Sequence, residues 1–268
     1  MEMKNYSREL RVAKNIALQT WQIIVPFYDR SVAVEIKKDG TPVTEADKRA
    51  NEYITGSLQK EFPEDSIVSE EGQTVFAGNR TWYIDPIDGT KGFIKRNAHF
   101  AIHIGLCEDR IPVMGVVYWP SVGDMYSGIV GIGAYRENNR GILELKLDNI
   151  ANRGLIASTN GDFPTKELEK PLEELGVKEY QNSGSEGLRL MKLVEGRTDI
   201  RISEHVNGAS TWDLCAPQAI VQAAGGVVMN IDGSKIIYSS QGKLNKRYIA
   251  ARNEHLANKA IKLCAMLN

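Results

Sequence analysis

The chain has 268 residues, 42% hydrophobic and 25% charged, which suits one large domain or two small ones. Lys plus Arg number 33 against 34 for Asp plus Glu, so there is no basic surplus of the kind that grips a nucleic-acid polymer or an anionic membrane. No run approaches the ~18 consecutive apolar residues of a membrane span. The charged start "MEMKNYSREL" reads as no secretory signal, and three cysteines without a Cys-x-x-Cys point to a reducing cytoplasm.

In chain order, Leu10, Ala13, Ile16, Ala17 and Ile24 recur at helical spacing, predicting a helix from about Ser7 to Tyr28. "VEIKKDGTPVT" predicts a hairpin turning at Asp39-Gly40. "EADKRANEYITGSLQKEF" returns to helical spacing until Pro63. Short strands "SIV" and "TWYI" follow, the second ended by Pro86. "HFAIHIGLCEDRIPVMGVVYWP" predicts two strands around Glu108 to Arg110, with "GDMYSGIV" and "GAYREN" as further strands. The second half alternates. "GLIAST", "TDIRIS", "VVMNI" and "YIAA" read as strands. Thr165 to Leu175, "SEGLRLMKLVEG", "LCAPQAIVQAAGG" and Glu254 to Leu267 read as helices. The boundary is expected between Leu147 and Asn152. It separates an N-terminal α+β subdomain (1–148) from a C-terminal α/β subdomain (149–268).

One stretch carries chemistry: "TWYIDPIDGTKGF", Thr81 to Phe93. It places Asp85 and Asp88 where a strand gives way to a glycine turn. Both aspartates could simply be solvated turn residues. Buried close together, however, two carboxylates need a cation between them, and a hard divalent ion such as Mg²⁺ suits oxygen ligands. The Ile87 carbonyl lies between them as a further candidate ligand. Glu70 and Glu71 end another strand, and Asp213 precedes an apolar helix. Pro217 is tolerated only in a first turn, which sets the expected helix start near Leu214 or Cys215, with Asp213 just outside it. Trp212 reads as a core anchor and Cys215 as packing. The Asp-x-x-Asp spacing does not match phosphatases that use an Asp-x-Asp-x-Thr nucleophile.

Four blocks in order, "PVTEADKRANEYI", "SEEG", "WYIDPIDGTKGF" and "WDLCAPQAIVQAAGG", resemble the inositol monophosphatase superfamily of Mg²⁺-dependent, lithium-sensitive phosphomonoesterases. The resemblance covers nearly the whole chain. It implies a layered αβαβα sandwich of the α+β class, as in inositol monophosphatase and fructose-1,6-bisphosphatase. "DGTKGFIKRN" is similar to bacterial 3′(2′),5′-bisphosphate nucleotidases, with Gly92 where they carry glutamate, and "WDLCAP" is similar to animal ones.

Carried onto this sequence, the resemblance implies that Glu70, Asp85 and the Ile87 carbonyl hold one Mg²⁺. Asp85, Asp88 and Asp213 would hold a second, with a third, weaker ion near Glu70. Asp47 and Thr90 would orient the attacking water, with Glu70 counted in the same catalytic set. Asp47 alone could equally be a helix surface charge. The Gly89 and Thr90 N–H groups would hold phosphate oxygens. Gly184, Ser185 and Arg189 are candidates for the rest of the substrate, and Lys91 and Lys95 for a second phosphate. Arg189 and the two lysines could also be ordinary solvated residues. The expected reaction is removal of the 3′-phosphate of 3′-phosphoadenosine 5′-phosphate by a metal-activated water. Inositol 1-phosphate or fructose 1,6-bisphosphate are the alternative substrates, and a metal-binding regulatory protein the non-enzyme alternative. A small phosphorylated molecule is the expected partner, and a homodimer is allowed.

Overall fold

The computed structural model describes residues 5–29, 34–37, 42–72, 79–147, 153–204, 209–239 and 242–265. The first helix, α1 (Ser7–Tyr28), buries Ala13, Ile16, Ala17 and Ile24, the stripe its spacing predicts. Strands β1 (Val34–Ile36) and β2 (Pro42–Thr44) pair antiparallel, and the expected turn between them lies outside the described residues. Helix α2 (Glu45–Glu61) starts with a capping box. The Thr44 N–H and hydroxyl both donate to Asp47 Oδ2, at 2.7 and 2.5 Å, satisfying donors that a helix start leaves open.

A seven-stranded sheet follows: β3 (Ser66–Ser69), β4 (Arg80–Asp88), β5 (Ala101–Glu108), β6 (Ile111–Trp119), β7 (Asp124–Ile129), β8 (Gly133–Asn138) and β9 (Gly141–Leu145), in that spatial order. Only the β3–β4 pair is parallel. The short helix α3 (Thr90–Lys95) lies between β4 and β5. The five-stranded sheet runs β11-β10-β12-β14-β13, built from β10 (Leu155–Thr159), β11 (Val177–Asn182), β12 (Ile200–Ile202), β13 (Val227–Asn230) and β14 (Tyr248–Ala251). Its helices are α4 (Lys166–Leu175), α5 (Glu186–Val194), α6 (Thr211–Ala223) and α7 (Glu254–Ala265).

Three apolar cores account for the layering. One joins α1 and α2 to an outer face of the large sheet through Trp82, Ile84, Ile102 and Ile104. A second lies under α5 and α6, between the sheets, and a third joins α4 and α7 to the small sheet. The layers are therefore α, β, α, β, α, an α+β sandwich. Burying each large aliphatic side chain contributes roughly 1.5–3 kcal/mol.

Helix α6 lies almost on the backbone of the large sheet. Gly105, Gly115 and Gly128 sit side by side on β5, β6 and β7. A Cβ at Gly105 would lie 2.6 Å from Ala216 N, and one at Gly115 would lie 2.7 Å from Ala216 Cα. At Gly128 it would meet Ile220 Cα at 3.1 Å. The row forms a furrow that seats the helix.

Two expectations are corrected. Pro86 does not end β4. The ladder resumes at Asp88, after a bulge with one extra residue on β4: Asp85 faces His103 and Asp88 faces Ala101. Helix α6 begins at Thr211 rather than Leu214, because Ser210 and Asp213 make their own capping box, with Ser210 N–H donating to Asp213 Oδ2 at 2.6 Å. Pro217 then falls inside the helix and leaves the Asp213 carbonyl without its usual backbone donor. Strands β9 and β11 were not foreseen, and the expected boundary region includes residues 148–152, outside the described set.

Candidate active site

The bulge explains how two aspartates three apart reach one place. In an unbroken strand, residues i and i+3 point to opposite faces. The extra residue at Pro86–Ile87 restores even spacing, so Asp85 and Asp88 oppose residues two apart on β5 and share a face. Asp85 Oδ1 accepts from Ile87 N–H at 3.0 Å and holds the bulge closed. Parallel pairing of β3 beside β4 brings Glu70 alongside, with its N–H on the Ile84 carbonyl at 3.1 Å. Asp213 arrives from the first turn of α6. One carboxylate oxygen each from Asp85, Asp88 and Asp213 lies within 4.8 Å of the others.

These groups floor a cleft of about 190 Å³ lined by Pro42, Glu70, Asp85, Ile87, Asp88, Gly89, Thr90, Lys91, Gly184 and Asp213. A larger hollow of about 520 Å³ between α1 and α2 offers one carboxylate, Glu61, which already pairs with Arg8. The chemistry therefore points to the smaller cleft. Gly89 turns the chain with φ of 92°, and a Cβ there would sit 2.5 Å from the His99 carbonyl oxygen. Thr90 opens α3, and its hydroxyl reaches Asp47 Oδ1 at 3.3 Å and the Ile87 carbonyl at 3.2 Å.

Three expected contacts lie elsewhere. Ser185 is fully buried; its hydroxyl donates to Asp88 Oδ2 and accepts from Leu188 N–H, so it braces an aspartate instead of lining the cleft. Arg189 is buried too, held by Glu186 at 2.6 Å and the Thr159 carbonyl at 3.2 Å. The reading of Arg189 as a phosphate contact or a solvated residue is thus replaced by a buried ion pair. Burial alone would raise the Glu186 carboxyl, but Arg201 and Arg189 hold it well below the usual range. Lys95 is exposed at the end of α3, outside the cleft lining.

Two residues were missed. Lys37 Nζ donates to Glu70 at 2.8 Å and to Glu71, placing a fixed cation at the glutamate pair. His103, fully buried on β5, brings Nε2 to 3.2 Å from Asp88 Oδ2. Neither stood out, because each meets its carboxylate only through strand pairing and loop placement.

The electrostatics test whether a cation fits. Burial pushes Asp85 well above the ordinary carboxylate range, and the next influences are the carboxylates of Glu70, Asp88 and Asp213. Asp213 is raised the same way, first by burial, then by Asp88 and Glu70. Burial also raises Asp47, against hydrogen bonds from Thr44. Buried oxygens that repel one another are the donor set a hard divalent cation neutralises.

A pH prediction follows. Glu71 is pushed up to about 7, mainly by burial. With Asp85, Asp213 and Glu71 all raised above their unfolded values, the metal-free native state binds more protons than the unfolded chain, so its stability falls as pH rises through that window. In excess chelator, Tm should drop between about pH 5 and about pH 8, and added Mg²⁺ should restore it at the upper end. A flat or rising Tm in chelator would contradict this.

Comparison with known proteins agrees with the geometry. The model of the inositol monophosphatase family matches residues 5–265. The chain is 31% identical over 232 residues to the 3′(2′),5′-bisphosphate nucleotidase CysQ of Aggregatibacter actinomycetemcomitans, covering 84% of this chain and 86% of that protein. It is 30% identical over 267 residues to inositol monophosphatase 3 of Solanum lycopersicum, covering 94% and 95%. Among solved structures, the extragenic suppressor protein SuhB of Bartonella henselae superposes with a TM-score of 0.80 at 24% identity, covering 96% of this chain and 98% of that one.

Proposed function

The chain belongs to the inositol monophosphatase family and is a phosphoric monoester hydrolase, and from that premise we propose that it uses Mg²⁺ to remove the 3′-phosphate of 3′-phosphoadenosine 5′-phosphate. The observation that carries the metal reading is the convergence of Asp85, Asp88 and Asp213 on one buried spot in the cleft. Glu70, Asp85 and the Ile87 carbonyl would hold one ion; Asp85, Asp88 and Asp213 would hold another, and a third, weaker ion would sit near Glu70, beside the Lys37 ammonium. When bound, the ions supply positive charge to the phosphoryl and leaving oxygens and lower the pKa of water.

The protein's own groups do the rest. Thr90 donates its hydroxyl proton to Asp47 and accepts from the attacking water, aligning it with the leaving oxygen. The Gly89–Thr90 turn presents backbone N–H groups to the phosphate. Gly184 leaves room at the cleft wall. The nucleotide preference is supported by "DGTKGFIKRN" and by the similarity to CysQ. Lys91, exposed at the cleft, is the cation proposed for the 5′-phosphate. Two subdomains, 1–148 and 149–268, a cytoplasmic setting and a homodimer remain part of the same proposal. No described helix is long and apolar enough to cross a membrane, and the three cysteines are unpaired.

The test compares kcat/KM for 3′-phosphoadenosine 5′-phosphate, inositol 1-phosphate and fructose 1,6-bisphosphate. A hydrogen bond to a charged group is worth roughly 1.5–3 kcal/mol, and an exposed lysine belongs at the low end. Lys91→Ala should therefore cost about tenfold on the bisphosphate nucleotide and little on inositol 1-phosphate. If inositol 1-phosphate is the better substrate of the unaltered enzyme, the nucleotide assignment is wrong and the metal reading stands.

A further inference from the structure

Resting on the reading of Asp88 as a metal ligand, we infer that His103 and Gly187 form a matched pair that locks Asp88, with His103 as a positioning residue. Asp88 Oδ2 accepts two hydrogen bonds and faces a buried imidazole nitrogen that has no hydrogen-bond partner among the described residues. Ser185 Oγ reaches it at 2.5 Å and Gly187 N–H at 2.8 Å, and His103 Nε2 lies 3.2 Å away. A carboxylate oxygen only accepts, so a proton on Nε2 is the arrangement that makes this close approach attractive, without an aligned hydrogen bond. Loading one oxygen from inside the protein fixes the carboxylate's rotation and reserves Oδ1 for the metal.

Gly187 makes this possible by what it lacks. It sits in the first turn of α5, where an N–H without an intrahelical partner is free to reach Asp88. Its φ is not in the left-handed region, and glycine is a poor helix former, so the backbone gives no reason for it. Space does. A Cβ at residue 187 would lie 2.5 Å from His103 Cε1 and closer still to Nε2. The imidazole fills the volume that any side chain at 187 would need. The sizes at 103 and 187 are coupled, and the coupled pair reaches the metal through Asp88.

The test titrates Mg²⁺ into substrate-free protein by calorimetry and measures Tm in chelator. His103→Leu keeps bulk and loses the polar nitrogen facing Asp88, so its Mg²⁺ affinity should fall roughly 10–100-fold, the range for groups that orient a ligand. His103→Gln keeps an N–H and should stay near the starting affinity. Gly187→Ala should lower Tm in the unaltered chain and cost nothing in a His103→Ala background, where the methyl enters vacated space. If Gly187→Ala does not fold alone, recovery of folded protein by adding His103→Ala reports the same coupling. Equal affinity for His103→Leu and the unaltered chain, or an equal cost of Gly187→Ala in both backgrounds, would overturn the inference. Asp88→Asn separates the two layers. If it fails to weaken Mg²⁺, the ligand reading falls and this inference with it; if it weakens Mg²⁺ while His103→Leu does not, only the inference falls.

Discussion

Asp85→Asn should abolish turnover at any attainable Mg²⁺ concentration while raising the Tm of the metal-free protein. Both effects come from one carboxylate. Asp85 is buried, shares its space with Asp88 and Asp213, and is expected to serve both ions, so no excess of metal replaces it. Losing several kcal/mol of charge stabilisation at the phosphoryl group corresponds to roughly three decades or more in rate. The same carboxylate is a burden without metal, because burial and its acidic neighbours disfavour its charge. Relief of about 1 kcal/mol would lift Tm by about 2–4 °C in a chain of this size. Steady-state kinetics across a Mg²⁺ series and melting in chelator check the pair. Near-normal turnover of Asp85→Asn, or full activity of the unaltered enzyme in excess chelator, would sink the metal reading.

Thr90→Ala should lower kcat by about two to three decades, within the range of positioned proton-transfer groups, and leave Mg²⁺ affinity nearly unchanged. Asp47→Asn should lose a similar factor in rate but also lose stability, because Asp47 has two tasks. Oδ1 faces Thr90, while Oδ2 caps α2 by accepting from both Thr44 donors. Removing a cap costs about 1 kcal/mol. On the proposal that the two groups orient one water, the double variant should be little slower than either single one. Multiplicative losses would show that they act separately.

Much of this arrangement was legible because it is local. The apolar spacing of α1 gave its span, and "SIVSEE" placed Glu70 at a strand end. What stayed hidden needed tertiary information. β9 is exposed at four of five positions, and β11, "VKEYQN", has no apolar alternation; both are edge strands whose existence depends on a neighbour. The α6 start lies earlier than Pro217 suggests, because the Ser210-x-x-Asp213 cap fixes it and the helix accommodates the proline inside. Arg189 reads as a substrate contact or a solvated residue because helical spacing does not reveal that Glu186, on its own helix, pairs with both it and Arg201, on β12. His103 looked like one more residue in an apolar strand until the bulge turned Asp88 toward it.

The furrow of Gly105, Gly115 and Gly128 bears on how this enzyme can be re-engineered. Asp213 rides on α6, and α6 rests on those three glycines, so the depth of the furrow sets how far Asp213 stands from Asp85. It works as a gauge block machined into the back of the sheet. A designer seeking a new phosphate ester can trade Lys91, an exposed residue of the cleft lining and the proposed substrate contact. The glycines lie behind the helix and outside the cleft lining, yet a methyl at Gly105 or Gly115 would collide with the Ala216 backbone and should push the helix, and Asp213 with it, outward.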